Sequence, residues 1–261
     1  MSLDNQFGGY KVGGSDEGDL GNGWKDYIHA LIPQGGGDDA EGDKSWYQGN
    51  YMGSEHFRLT YNCKETSFSI YLENYYDFSG MGKLNGLDGL WGIEYKSPKT
   101  QAINGIILEY YQTTNQSGPL HGLDNSIIKK TGGADDYYNN GWYPGWTHWG
   151  MSIGNPLITS PIYNKNGNLA FQYNRVKAIH LGWSGNITSE WIYRAKLSFN
   201  RTWGTPYKPI PEILENFSTF AEFKYIPSKW QGWSFTGSVA FDIGDIYGDN
   251  LGFQLKIHKS F

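Results

Sequence analysis

A two-residue alternation of apolar and polar side chains, recurring from the middle of the first hundred residues to the last residue, is what most constrains this chain. Successive side chains of a strand point to opposite faces, so each such run predicts a β-strand with one greasy side. Phe57-Leu59-Tyr61 oppose His56-Arg58-Thr60, and Phe68-Ile70-Leu72 oppose Ser69-Tyr71-Glu73. Trp91-Ile93-Tyr95 alternate with Gly92 and Glu94, and Trp191-Tyr193-Ala195-Leu197-Phe199 alternate with Ile192-Arg194-Lys196-Ser198-Asn200. Trp233-Phe235-Gly237-Val239-Phe241 and Phe253-Leu255-Ile257 continue the pattern toward Phe261. High counts of Gly (36), Tyr (20), Phe (13) and Trp (11) suit sheets rather than helical cores.

Alternation alone does not separate a soluble sandwich from a membrane barrel, because both bury one face of each strand. Mean hydropathy is -0.57 and no run approaches the 18 or so apolar residues of a membrane helix, which leaves strands as the only means of crossing a bilayer. The second faces carry Arg58, Glu73, Glu94, Glu109, Arg194, Lys196, Glu222, Lys224 and Lys256, which fits either a hydrated lumen or a solvated face. Loop lengths break the tie. Ten strands are expected at 26–32, 54–62, 66–76, 88–96, 102–112, 169–183, 190–200, 216–226, 231–242 and 251–261. Short turns then fall at one end (Asn62 to Glu65, Ser97 to Gln101, Ser184 to Ser189, Pro227 to Trp230). Long connections fall at the other (Pro33 to Gly53, Asp77 to Leu87, Thr113 to Asn168, Arg201 to Glu215, Ile243 to Asn250). Outer-membrane barrels have that asymmetry. The expected fold is therefore all-β, an antiparallel up-and-down transmembrane β-barrel. It forms a single domain over 1–261 with a long external loop at about 113–168. The chain ends on an aromatic, Phe261, although Lys259 occupies a lipid-side position where an apolar residue is usual. A long Lys near the interface snorkels to water.

A more specific pattern occupies the long loop. Gly133-Ala134-Asp135-Asp136-Tyr137-Tyr138-Asn139-Asn140-Gly141 is followed by Gly145-Trp146-Thr147-His148-Trp149-Gly150 and Ile153-Gly154-Asn155-Pro156. With Leu84 to Gly92, Tyr110 to Pro119, Asn174-Arg175-Val176 and Phe241 to Asp245, these segments resemble the Wzi-type capsule-assembly outer-membrane proteins, from about Trp24 to the C-terminus. The resemblance implies a monomeric barrel in a bacterial outer membrane that acts as a lectin, holding capsular polysaccharide at the cell surface. Members of that family are longer, with further strands and a helical region before the part matched, so this chain corresponds to a C-terminal portion or a reduced relative. No signal peptide precedes Asp4, and Met1-Ser2-Leu3 reads as a vector-derived start on a mature or truncated chain.

Candidate glycan-binding residues are Asp135, Asp136, Tyr137, Tyr138, Trp142, Tyr143, Trp146, His148 and Trp149. Sugars present apolar C–H faces ringed by hydroxyls, which amphipathic rings beside carboxylates accommodate. The competing reading has the same rings plugging the lumen or forming an interfacial girdle. A porin-like channel for small solutes is the alternative function.

Other chemistry finds little support. Asp135-Asp136, Asp242-Asp245-Asp249 and Glu94/Glu109 invite a glycosidase reading, but adjacent acids in Gly-rich loops are more often turn formers, and no enzyme activity is expected. Asp245 to Asn250 lacks an EF-hand spacing, and the six His show no zinc spacing. Gly182-Trp183-Ser184-Gly185-Asn186 only half matches a nucleophile elbow. Cys63 stands alone and forms no intrachain disulfide. A net charge of -5 without a basic cluster argues against nucleic acid. No cofactor is expected.

Overall fold

In a computed structural model, residues 2–5, 10–11, 18–19, 23–31, 51–77, 87–98, 102–119, 133–139 and 145–260 are described. Their architecture is antiparallel β. The strands are β1 (Ser2–Asn5), β2 (Tyr10–Lys11), β3 (Gly18–Asp19), β4 (Tyr51–Cys63), β5 (Thr66–Asp77), β6 (Gly89–Lys96) and β7 (Gly105–Gln112). After the minor strands β8 (Thr147–His148) and β9 (Met151–Ser152) come β10 (Val176–Asn186), β11 (Trp191–Gly204), β12 (Pro209–Tyr225), β13 (Trp233–Gly244) and β14 (Asn250–Lys259). One sheet takes the order β1-β4-β5-β6-β7-β10-β11-β12-β13-β14, a meander in which each long strand pairs with the next.

Three expectations are corrected. The segment expected as a first strand at 26–32 is instead a helix, α1 (Trp24–Leu31). Its apolar residues Trp24, Tyr27, Ile28 and Leu31 recur at helical spacing, and the Trp24 and Tyr27 rings stack at 5.6 Å. The supposed loop from Arg201 to Glu215 is mostly strand, since β11 and β12 run on to Gly204 and Pro209 with a register shift after Thr202. A tight turn closes them: Gly204 has φ +80, and a Cβ there would lie 2.5 Å from the Lys208 carbonyl oxygen. Likewise β13 and β14 leave only Asp245 to Asp249 as their connection. Of the long connections expected after β5, the described strand ends leave 78–88 and 113–175, while most of Pro33 to Gly53 lies outside the described residues. Phe261 lies outside the described residues.

The chain divides into two compact units. One comprises Met1–Glu55, Asn74–Asp88 and Asn115–Gln172; the other comprises His56–Glu73, Gly89–Thr114 and Tyr173–Phe261 and holds most of the sheet.

Within the second unit the ladder register places most apolar side chains on one face and most charged ones on the other, with Ile107 and Phe220 on the charged side and Thr219 on the apolar side. Ile93 faces Leu108, Leu108 faces Leu181, and Leu181 faces Leu197, while Phe223 faces Gly237 and Val239 faces Phe253. The same ladders put Glu94, Glu109, His180, Ser198, Glu222 and Gln254 on the opposite side. On β6, β7, β10, β12 and β13 the apolar side is the more exposed one, whereas on β11 Tyr193, Leu197 and Phe199 are half-buried and Arg194 and Lys196 are exposed. Leu59, Ile70, Ile93, Leu108, Ile179, Phe223 and Val239 are all exposed, and Phe253 and Leu255 on β14 reach 83% and 85%. Ser69, Asn200 and Asn216 on the polar side are buried, as is Tyr111 on the same side.

Both borders of the apolar band are marked. At the short-turn end Trp191 stacks on Tyr225 at 4.8 Å, and the Lys259 ammonium sits 5.0 Å from the centre of the Trp233 ring, its ladder partner. At the other end Lys177, Arg201 and Glu215 form one ladder row, with Arg201 bonded to Glu215 at 2.6 Å. Between Trp191 and Phe199 the strand climbs roughly 26 Å at about 3.3 Å per residue.

The polar side is tied by charge. Glu94 takes Arg58 and Lys96, Arg194 binds Glu222 through Nε at 2.7 Å, and His180 Nδ1 lies 2.7 Å from Ser198 Oγ. The Tyr71 hydroxyl, from β5, donates to Glu109 on β7 by crossing over β6. Gly92 makes that crossing possible, because a Cβ there would fall 2.0 Å from the Tyr71 ring. Gly92→Val is therefore expected to destabilise the chain by about 1–3 kcal/mol in equilibrium urea unfolding, through overpacking. Tyr71→Ala should remove most of that penalty in the double variant; additive losses would show that the ring and the glycine are not coupled.

Candidate functional site

The loop expected to bind ligand folds as a body of its own within the first unit. Its anchor is Asp88, whose side chain is fully buried: Oδ1 accepts from the Asn115 N–H at 3.0 Å and Oδ2 from the Gln116 N–H at 2.7 Å. A carboxylate accepting two backbone donors is the kind of hydrogen bond that contributes most, about 1.5–3 kcal/mol each. Gln116 is itself buried and extends the chain of contacts, its Oε1 accepting from the Tyr137 N–H at 3.0 Å. Its carbonyl accepts from the Asp135 N–H at 3.1 Å. The segments 115–119 and 133–139 are thus clamped together from one aspartate.

Asparagines continue the scaffold. Asn139 and Phe171 form a reciprocal pair, with Asn139 Nδ2 donating to the Phe171 carbonyl at 2.9 Å and the Phe171 N–H donating to Asn139 Oδ1 at 2.8 Å. The Phe171 ring meets Tyr138 edge-on at 5.3 Å, and the Tyr138 hydroxyl accepts from the Asn155 N–H at 3.1 Å. Backbone strain concentrates here: Gln116, Ser117, Ala134, Asp136, Tyr138 and Trp149 all have φ between 48 and 71. Left-handed non-glycine residues persist only where the surroundings over-determine them, and such clusters favour functional loops.

The nine expected residues part company in this frame. Tyr137 is 2% exposed and belongs to the interior of the loop body, so its ring offers no ligand surface. Tyr138 is half-buried and spends its hydroxyl on the scaffold. Asp135 is half-buried and takes the Ser117 hydroxyl. Asp136 is half-buried in a turn, its carbonyl accepting from the Asn139 N–H at 2.9 Å. Trp142 and Tyr143 lie outside the described residues. Trp146 is half-buried; its N–H bonds the Tyr138 carbonyl at 2.9 Å, while its indole Nε1 is buried without a hydrogen-bond partner among the described residues.

His148 and Trp149 remain open. They stand on the β8–β9 hairpin with their rings edge-on at 6.2 Å, and Trp149 is 85% exposed. Beside them lie residues not anticipated from sequence. Ile162 and Tyr163 are exposed, and the Ile162 N–H bonds the Gly150 carbonyl at 2.9 Å, which seats the 3-10 turn Pro161–Tyr163 against the hairpin. Gly150, with φ +78, leaves room for Ile162, whose Cβ is 3.1 Å from where a Gly150 Cβ would be. The Trp149 ring is thus an exposed aromatic ledge on a hydrogen-bonded base, with Met151 and Tyr163 also exposed on the hairpin and the turn.

Among the described residues no group of three His, Cys, Asp or Glu is arranged to hold a metal ion. No known family, characterised protein or solved structure matches the chain.

Removing the anchor should loosen the loop body and leave the sheet alone. Asp88→Ala is expected to speed amide hydrogen exchange in 115–119 and 133–139 roughly ten- to hundred-fold, as two buried donors lose their acceptor. Exchange in β11 and β12 should stay unchanged. Uniform acceleration across both regions would mean that Asp88 holds up the whole fold instead.

Proposed function

We propose that the chain is an outer-membrane β-barrel, or the larger part of one, whose external loop body binds surface polysaccharide and helps hold capsule at the cell surface. The observation that carries the membrane half is the inverted sheet. On β6, β7, β10, β12 and β13 the apolar side chains are the more exposed and the polar side is the more enclosed one. Each exposed Leu, Ile or Phe forgoes roughly 1.5–3 kcal/mol of burial in water. Summed over the sheet, that loss exceeds a typical net stability of about 5–15 kcal/mol. Hydrocarbon removes the penalty. The band also has a suitable height and is edged by Trp, Tyr and Lys, the residues that settle at bilayer interfaces. No helix among the described residues is long and apolar enough to cross a membrane, so crossing falls to the strands.

Strand parity bears on closure. Nine long strands in an unbroken antiparallel meander leave β4 and β14 running in the same direction. An antiparallel barrel therefore needs an odd number of further long strands.

The capsule half rests on the resemblance of the loop motifs and on the ledge of Trp149. A large ring held open on a strained, tightly bonded loop offers a stacking surface for the C–H face of a sugar at low entropic cost. The charged face supports the second reading, a solute channel, since porin interiors are polar and laced with ion pairs.

Two measurements test the proposal. In liposomes containing brominated lipids, Trp91, Trp183 and Trp191 fluorescence should be strongly quenched; unquenched spectra would rule out the membrane reading. Trp149→Ala should weaken binding to capsular polysaccharide from the source cell by about tenfold or more, within the range of an aromatic anchor. Undiminished binding by that variant, or single-channel conductance without polysaccharide binding, would favour the channel.

A further inference from the structure

On the polar face of the sheet, between β6 and β11, lies a recess of about 580 Å³ whose charged and polar lining is Glu94, Lys96, Ser184, Asn186, Arg194 and Lys196, with Ile107 and Ile192 giving it an apolar share of wall. Glycines create it. Gly105 and Gly182 occupy polar-side positions of β7 and β10, opposite Ser184 and Lys196 in the ladders. A Cβ at Gly105 would lie 2.9 Å from Ser184 Oγ, and one at Gly182 would lie 2.8 Å from the Ile107 side chain. Any larger residue at either place would fill the floor.

The charge in the recess does not balance. Arg58 and Lys96 share the single Glu94 carboxylate, and Arg194 is matched by Glu222. Lys196 is exposed and has no carboxylate within 4.0 Å among the described residues. Glu109, one ladder row away across β10, is engaged by the Tyr71 hydroxyl. One neutral donor completes the wall: Ser184 Oγ donates to Asn104 Oδ1 at 2.9 Å and Asn104 Nδ2 donates to Asn186 Oδ1 at 3.1 Å, which orients Asn186 with its amide NH2 at the rim.

We propose that this recess is a binding site for a small anion, the carboxylate of an acidic sugar or a phosphate group, with Lys196 as its principal charge. Positive side chains held on rigid strands around a glycine floor, with an amide group beside them, are the arrangement that a carboxylate or phosphate oxygen takes up. The site is separate from the Trp149 ledge and does not rest on the polysaccharide reading.

The full chain, folded in detergent micelles, is treated with an amine-acetylating reagent, and modification of each lysine is followed by peptide mass spectrometry. Inorganic phosphate or glucuronate at about 20 mM should slow acetylation of Lys196 roughly fivefold or more, with Lys229 in the β12–β13 turn unaffected. Glucose should do nothing, and 0.5 M NaCl should abolish the protection. Protection by phosphate alone or by glucuronate alone supports the site and identifies the group it takes. Calorimetric titration with the protecting anion should show affinity reduced about tenfold in Lys196→Met and retained in Lys196→Arg. Protection that is absent, equal at Lys229, or reproduced by glucose overturns the proposal, as does unchanged affinity in Lys196→Met. Trp149→Ala should leave Lys196 protection intact, so the two sites fail independently.

Discussion

Cross-strand register is the constraint on which the rest of the second unit depends. Because partners in an antiparallel ladder share a face, and because side chains alternate with period two, a slip of one residue anywhere would carry a whole strand of Phe, Leu and Ile to the charged side. The observed ladders avoid this at every pair from β6 to β14, and Leu108, Leu181 and Leu197 form a continuous row across three of these strands. Cross-strand salt bridges enforce the same register from the other side: Arg194 meets Glu222 only if Ala195 meets Ala221. Two independent sets of contacts, apolar on one face and ionic on the other, therefore specify one alignment.

That constraint explains the placement of the functional glycines. A polar face crowded with Arg, Lys, Glu and Tyr has no room for every side chain, so β6, β7 and β10 give up theirs at Gly92, Gly105 and Gly182. At Gly92 the vacated space admits a tyrosine that spans three strands. At Gly105 and Gly182 it stays open and becomes a recess. The same device thus serves rigidity in one row and ligand access in another, and the difference lies in whether a neighbouring aromatic is long enough to fill the gap.

The strands and their two faces were legible in the sequence because alternation is a local signal: β4 to β7 and β10 to β14 each overlap an expected run, although β10 begins only at Val176 and β11 and β12 extend well past their expected ends, and Arg194, Glu222 and Lys256 share a face as anticipated. Where signals competed, the reading went astray. The alternation lapses between Arg201 and Glu215, yet Pro209 begins β12 and Pro211 lies among its first residues, near a strand end where proline is tolerated. The run from Asp26 to Ile32 is too short to distinguish period 2 from 3.6 by composition, and the Trp24–Tyr27 spacing decided for helix. In the loop, aromatic content pointed to the correct segment but could not rank its members. Nothing local distinguishes Tyr137, which is buried, from Trp149, which is open. Asp88 carried no signal at all, because its role comes from partners 27 and 28 residues away.

The loop body and the sheet reach rigidity by different means, and this bears on what each part is suited to bind. The sheet is stiff through repetition, with every residue of β11 from Trp191 to Thr202 laddered to β12. The loop body has almost no ladder; its order comes from side chains that substitute for backbone partners, Asp88 for two carbonyls and Asn139 for a strand neighbour. Side-chain clamps of that kind hold backbone in conformations a ladder forbids, including the left-handed turn at Trp149. An exposed ring at such a turn points away from the body that supports it and suits a broad, weakly polar surface such as a polysaccharide chain. A laddered wall keeps its side chains at fixed spacings, which suits the recognition of a compact charge. The two proposed sites, an extended glycan on the loop and a small anion on the sheet, accord with how each part of the backbone is held.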